Sequence, residues 1–175
     1  MDIEIREATE ADIKEIVRLF AEALQSDYKK FIAMQLIEAF DYKAIEQDCT
    51  EGLNNSEKFR FAYVALFEKN IVGYISAGSN TVEPYEYDAE VSNIIVKSDF
   101  QNGGIGKKLM YKAIIRLEEC GYSSFVVFNF SKSKANGFYR NLNGKLINRL
   151  VQDDYEEACV DIFGWQIKEI KSILL

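Results

Sequence analysis

The chain contains no histidine among its 175 residues. That absence excludes the Ser-His and Cys-His nucleophile systems and most zinc sites. Any acid–base chemistry falls to Glu, Asp, Tyr, Lys, Cys or water. Cysteine is sparse: Cys49, Cys120 and Cys159 are odd in number and irregularly spaced, with no C-x-x-C, so they read as unpaired thiols and no metal is expected. Long apolar runs are also missing. No segment is long enough to span a membrane. The N-terminus, Met1 to Arg6, lacks the basic start and apolar core of a signal peptide, so the expected location is cytoplasmic. Positive charge is in deficit, with 21 basic against 28 acidic residues and a net charge of −7. That balance argues against nonspecific nucleic-acid binding and favours a cationic substrate. Proline occurs once, at Pro84.

The chain does have enough apolar residues, 48%, and enough length to bury the core of one domain spanning residues 1–175. Ile3, Ile5 and Ala8 suggest a short strand. Thr9-x-x-Asp12 then marks a helix start, followed by Ile13, Ile16, Val17, Phe20 and Leu24 at helical spacing. Tyr28 to Gln47 reads as a second helix or helix pair, with Phe31, Met34, Ile37 and Phe40 as its stripe, and Glu51 to Lys58 as a polar loop. Phe61 to Phe67 and Ile71 to Ser79 read as a hairpin joined by Glu68-Lys69-Asn70. Further strands are expected over Glu90–Lys97, Ser124–Phe130, Lys145–Leu150 and Ala158–Ile167, with helices over Ile105–Cys120 and around Ala135–Leu142. The order β-α-α-β-β-β-α-β-α-β-β predicts an α/β chain with a mixed sheet flanked by helices.

The most informative stretch is Gln101-Asn102-Gly103-Gly104-Ile105-Gly106. It lies between a strand and a helix. Glycines there let the backbone approach a ligand closely, and the helix start offers unpaired N–H groups and the positive end of a dipole. Such an arrangement binds phosphates. It is not a Walker A loop, because Gly106-Lys107-Lys108 lacks the upstream glycine and the hydroxyl. Nor is it the dinucleotide G-x-G-x-x-G.

Two motifs together carry a family resemblance. Gln101-x-x-Gly104-x-Gly106 is similar to the [RQ]-x-x-G-x-[GA] loop of the GNAT N-acetyltransferases. Ala135-Asn136-Gly137-Phe138-Tyr139, running on to Asn143-Gly144, resembles that family's A-x-x-F-Y-x-x-x-G segment, with the glycine one position later. The resemblance covers nearly the whole chain in element order. It implies a GNAT fold and transfer of an acetyl group from acetyl-CoA to a primary amine of a small-molecule or peptidic acceptor, by direct attack in a ternary complex. The competing reading is a non-catalytic CoA-binding regulatory module.

The resemblance also assigns residues. Ile94, Ile95 and Val96 would pair their backbone with the pantetheine amides. Gln101, Asn102, Gly103, Gly104, Ile105, Gly106 and Lys107 would hold the pyrophosphate. Ile94-Ile95-Val96 breaks simple alternation, which fits a strand buried on both faces or reset by a bulge. The family's frequently basic loop position is Gly103 here, with Lys107 and Lys108 near enough in sequence to supply charge. Its Asn three residues before Ala135 is Lys132, for which Asn129 or Asn136 would substitute. Glu90 is the candidate general base, with Glu83, Glu86 and Asp88 as carboxylates that would act through water. Tyr139 is the candidate acid. The acceptor site would be shaped by the Tyr28–Gln47 and Glu83–Asp88 segments, and the aromatic C-terminal strands allow a homodimer.

Overall fold

Arg6 and Asp12 show how local chemistry starts the chain's first helix. The Asp12 carboxylate accepts the Thr9 N–H at 2.8 Å and the Thr9 hydroxyl at 2.9 Å, and Arg6 closes on it with two bonds of 2.7 and 2.8 Å. The guanidinium and these donors hold the Asp12 carboxyl at about 2, well below its ordinary value. The chain is described here from a computed structural model, which describes residues 1–26, 41–54, 60–82, 85–151 and 159–174. Its elements are β1 (Glu4–Glu7), α1 (Ile13–Ser26), α2 (Tyr42–Asn54), β2 (Phe61–Phe67), β3 (Asn70–Ser79), β4 (Ala89–Val96), α3 (Ile105–Glu119), β5 (Ser124–Phe130), α4 (Ala135–Asn141), β6 (Lys145–Leu150), β7 (Val160–Gln166) and α5 (Ile167–Leu174).

The strands form one seven-stranded sheet in the order β1-β2-β3-β4-β5-β7-β6. Every neighbouring pair is antiparallel except β4 with β5. The β2–β3 turn has Glu68 at φ 49° and Lys69 at φ 68°, the two left-handed residues of a turn whose twist matches that of the flanking strands. Two apolar cores cover the two faces. Ile105, Leu109, Met110, Ala113, Ile114 and Leu117 of α3 pack with Ile167 and Ile170 of α5 on one face. Ile13, Ile16 and Leu19 of α1, with Cys49 of α2, pack on the other. Each fully buried aliphatic side chain contributes about 1.5–3 kcal/mol, which makes these faces the main source of stability.

Two expectations need revision. The closing strand ends at Gln166, and Ile167 opens the helix α5, whose Ile167, Ile170 and Leu174 follow a helical period. No breaker residue separates the two, so the strand reading ran on. Secondly, α2 continues to Asn54, past Gly52, into the stretch expected to be a loop. It starts where the Asp41 carboxylate accepts the N–H groups of Lys43 and Ala44, at 2.9 and 3.3 Å. The expected stripe of Phe31, Met34, Ile37 and Phe40 lies outside the described residues, as do Glu83 and Pro84.

Candidate active site

β4 and β5 pair at only two positions, Ala89 with Phe125 and Glu90 with Val126. Beyond Glu90, β4 stays paired with β3 as far as Val96, while β5 stays paired with β7 as far as Phe130. The two strands therefore diverge from a fork at Glu90. The closed end of the fork is clasped by Asp88, whose carboxylate accepts the Ser123 N–H at 2.9 Å and the Ser123 hydroxyl at 2.5 Å. The Asp88 N–H in turn donates to the Ser124 hydroxyl at 3.1 Å. These donors, with the Ser123 hydroxyl first, lower the Asp88 pKa, which makes that carboxylate a poor base. The clasp had no signal in the sequence.

Past the fork, β4 is reset by one residue. Ser76 pairs with Asn93 and Ala77 with Val91, so Ser92 is left over as a bulge. A single extra residue flips the alternation. Ala89 and Val91 belong to the α3-side core, and after the bulge it is Ile94 and Val96 that pack there, while Ile95 is buried against α1. The irregular Ile94-Ile95-Val96 run thus reflects both a bulge and burial on two faces.

The strand leads into the glycine loop. Gln101 donates its side-chain amide to the Val96 carbonyl at 3.0 Å and is exposed. Asn102 sits at φ 60° and Gly104 at φ 81°. Gly104 is the residue before α3, no side chain caps the helix, and no acidic residue lies in its first turn. The first ladder bond runs from the Lys108 N–H to the Gly104 carbonyl at 3.1 Å, which leaves the N–H groups of Ile105, Gly106 and Lys107 without helical partners. A Cβ on Gly104 would meet nothing within 4 Å, so the space over this helix end is open. Lys107 and Lys108 stand at the positive end of the dipole, where cations are unfavourable unless an anion offsets them. Ile105 is 1% exposed, and its side chain belongs to the α3-side core. A Cβ on Gly106 would lie 3.4 Å from the Phe138 ring and 4.0 Å from Ile94, so α3, α4 and β4 converge here.

Tyr139 lies on α4, 3% exposed, in the α3-side core. Its ring packs on Phe163 and Trp165 with centroids 5.6 and 6.1 Å away. Glu90 faces the other way. Ala89 and Val91 point to the α3 side, so Glu90 points towards α2, with Ser92 hydrogen-bonded to it and Arg60 and Asp48 acting on it through space. Burial raises the Glu90 pKa, and the Ser92 bond and the Arg60 charge only partly offset that. The two candidate catalytic side chains thus lie on opposite faces of the sheet. Beside Glu90, Asp48, Cys49, Arg60, Tyr74, Ser76 and Ser92 line a pocket of about 20 Å³, room for a water molecule. Lys132 is exposed on the loop after β5. Asn129 and Asn136 are 8% and 2% exposed and bond to each other at 2.6 Å. Glu86 is exposed. Among the described residues, no group of three or more His, Cys, Asp or Glu side chains is placed to hold a metal ion.

The mixed sheet forks between its parallel strands, and the strand at the fork leads through the glycine loop to an uncapped helix. The sequence model described as the acetyltransferase (GNAT) domain matches residues 21–145, and the chain belongs to this family of N-acetyltransferase enzymes. YuaI of Bacillus subtilis strain 168, an uncharacterised N-acetyltransferase, is 26% identical over 98% of both chains. The PaiA N-acetyltransferase of Thermoplasma acidophilum, solved in complex with coenzyme A, matches with a TM-score of 0.72 at 16% identity, over 95% of this chain and 99% of that one. YncA of Salmonella typhimurium, a putative acetyltransferase solved with its cofactor acetyl-CoA, matches with a TM-score of 0.69 at 17% identity, over 94% of each chain.

Glu90 yields a test independent of substrate. Its pKa is raised in the fold, so its contribution to stability is full below the ordinary carboxylate range and is lost as pH rises through the raised value. Glu90→Gln keeps the shape and removes the charge. At pH 7 the variant should be at least as stable as the parent in urea denaturation, with the difference closing towards pH 4. A variant less stable at pH 7 would mean that Arg60 outweighs burial.

Proposed function

We propose that the protein transfers an acetyl group from acetyl-CoA to a primary amine of a small-molecule or peptidic acceptor, by direct attack in a ternary complex. The observation that carries this reading is the fork: a strand edge unpaired with β5 beyond Glu90 runs straight to an uncapped helix N-terminus. The edge suits the amides of a pantetheine arm. The open helix end and Lys107 suit a pyrophosphate. The two solved neighbours crystallised with coenzyme A or acetyl-CoA support the choice of donor.

In this reading Ile94, Ile95 and Val96 offer backbone groups to the arm. Gln101, Asn102, Gly103, Gly104, Ile105, Gly106 and Lys107 surround the pyrophosphate, with Lys132 near its outer end. The acceptor amine approaches from the Glu90 face. An alkyl ammonium has a pKa of about 10.4, so freeing the amine at pH 7 costs roughly 4.6 kcal/mol. Glu90 takes that proton, directly or through one water in the adjoining pocket. Its raised pKa suits it to the role better than Asp88. The amine nitrogen then bonds to the thioester carbon, the carbon–sulfur bond breaks to release a thiolate, and the surplus proton left on the nitrogen ends on that sulfur to give the free thiol. Tyr139 supports that thiolate by hydrogen bonding. A phenol near pKa 10 is a weaker acid than a thiol near 8.5, so full transfer is uphill by roughly 2 kcal/mol and the proton moves late. The exposed apolar side chains Leu146, Leu150 and Val151, on and after the edge strand β6, fit a homodimer contact. Among the described residues no helix is long and apolar enough to cross a membrane.

Two substitutions test this reading. Gly104→Val places a β-branched side chain at φ 81° and over the open helix end. CoA affinity by calorimetry should fall strongly, and unchanged affinity would remove the loop assignment. Tyr139→Phe keeps the ring packing and removes the hydroxyl. It should lower kcat roughly 10- to 1,000-fold with little change in acetyl-CoA affinity. A wild-type kcat would reduce Tyr139 to a packing residue.

A further inference from the structure

A buried polar cluster lies beneath α4. Asp161 is fully buried on β7, and the register sets Asn129 of β5 opposite it on one side and Arg149 of β6 on the other. Arg149 grips the carboxylate with two bonds, Nε at 2.6 Å and Nη2 at 3.2 Å. Arg140 of α4 lies 3.8 Å from it and over the Phe163 ring, 5.6 Å from the centroid. Asn136, in the first turn of α4, joins this row. Its Oδ1 accepts the Asn129 amide at 2.6 Å. Its Nδ2 donates to the carbonyls of Phe130 at 3.0 Å and Ser131 at 2.9 Å, and lies 3.5 Å from the Asp161 carboxylate.

We propose that Asn136 and Asp161 are positioning residues that set the location of the Tyr139 hydroxyl. α4 has seven residues, too few to be stable alone, so its placement depends on anchors. Asn136 ties its first turn to the end of β5. At the other end, the Trp165 indole N–H bonds to the Leu142 carbonyl at 2.8 Å. Tyr139 follows Asn136 by three residues, on the same side of the helix. A buried ionic cluster of this kind adds little stability over an apolar core of equal volume, and what it provides is one fixed geometry. Misplacing a catalytic group by about 1 Å can cost roughly 100-fold in rate. The cluster occupies the Asn136 amide and one Asn129 side-chain N–H within the protein.

This inference rests on the thiolate-supporting role of Tyr139, and a double-mutant cycle keeps the two apart. Asn136→Ala and the isosteric Asp161→Asn are each combined with Tyr139→Phe. Folding is followed by circular dichroism, turnover by thiol release and CoA affinity by calorimetry. Each single variant should lower kcat roughly 10- to 100-fold, and should add nothing further in the Tyr139→Phe background. If Asn136→Ala fails to fold, Asp161→Asn, which keeps the side chain's size, carries the cycle. Additive losses of kcat, a loss confined to CoA affinity, or wild-type kcat in the single variants would overturn the positioning role. A wild-type kcat for Tyr139→Phe alone would instead remove the role of Tyr139, leaving nothing to position.

Discussion

The proposed ligand surface of this chain follows from two strands that pair at two residues and then part. A parallel pair normally runs its hydrogen bonds for the length of the shorter strand. Here Phe125 and Val126 are the only β5 partners of β4, and the Asp88 clasp to Ser123 and Ser124 holds the closed end from which the strands part. Backbone groups left without a ladder in a protein need partners. A ligand with its own amides is one chemical answer, and an open helix end at the far end of the same strand extends the site to an anion.

The bulge at Ser92 is what allows the forked strand to serve two cores. Without the extra residue, the alternation begun by Ala89 and Val91 would turn Ile95 towards α3 and Ile94 towards α1. With it, Ile94 meets Gly106 and Phe138 near the glycine loop, and Ile95 anchors α1. Gly73 shows how closely α3 lies on the sheet: a Cβ there would stand 3.0 Å from Leu109 and 3.3 Å from Ile105. The glycine loop is thus attached to a helix whose position is fixed by core packing, so its N–H groups hold one direction.

Local chemistry was legible in the sequence. Thr9 with Asp12, Gly104 before α3, Gly121 after it at φ 89°, and the Ala135–Tyr139 helix are all signalled by residues within a few positions of the feature. The family followed from two such local motifs. The fork was not legible, because it depends on which strands from residues 89–96 and 124–130 stop pairing, a tertiary fact. The same holds for Asp161, whose partners come from residues 129, 136, 140 and 149. The helix α5 was missed for a different reason. Trp165-Gln166-Ile167 passes from strand to helix without Gly or Pro, and only the later Ile170 and Leu174 carry the new period.

In the proposed reading the unpaired edge of β4 and the start of α3 form one continuous ligand surface. Amide hydrogen exchange with and without coenzyme A tests it most directly. Added coenzyme A should slow exchange in two separate stretches together, Ser92–Val96 and Ile105–Lys107, while the β6 amides are unaffected. Protection confined to one stretch, or absent from both at saturating coenzyme A, would contradict it.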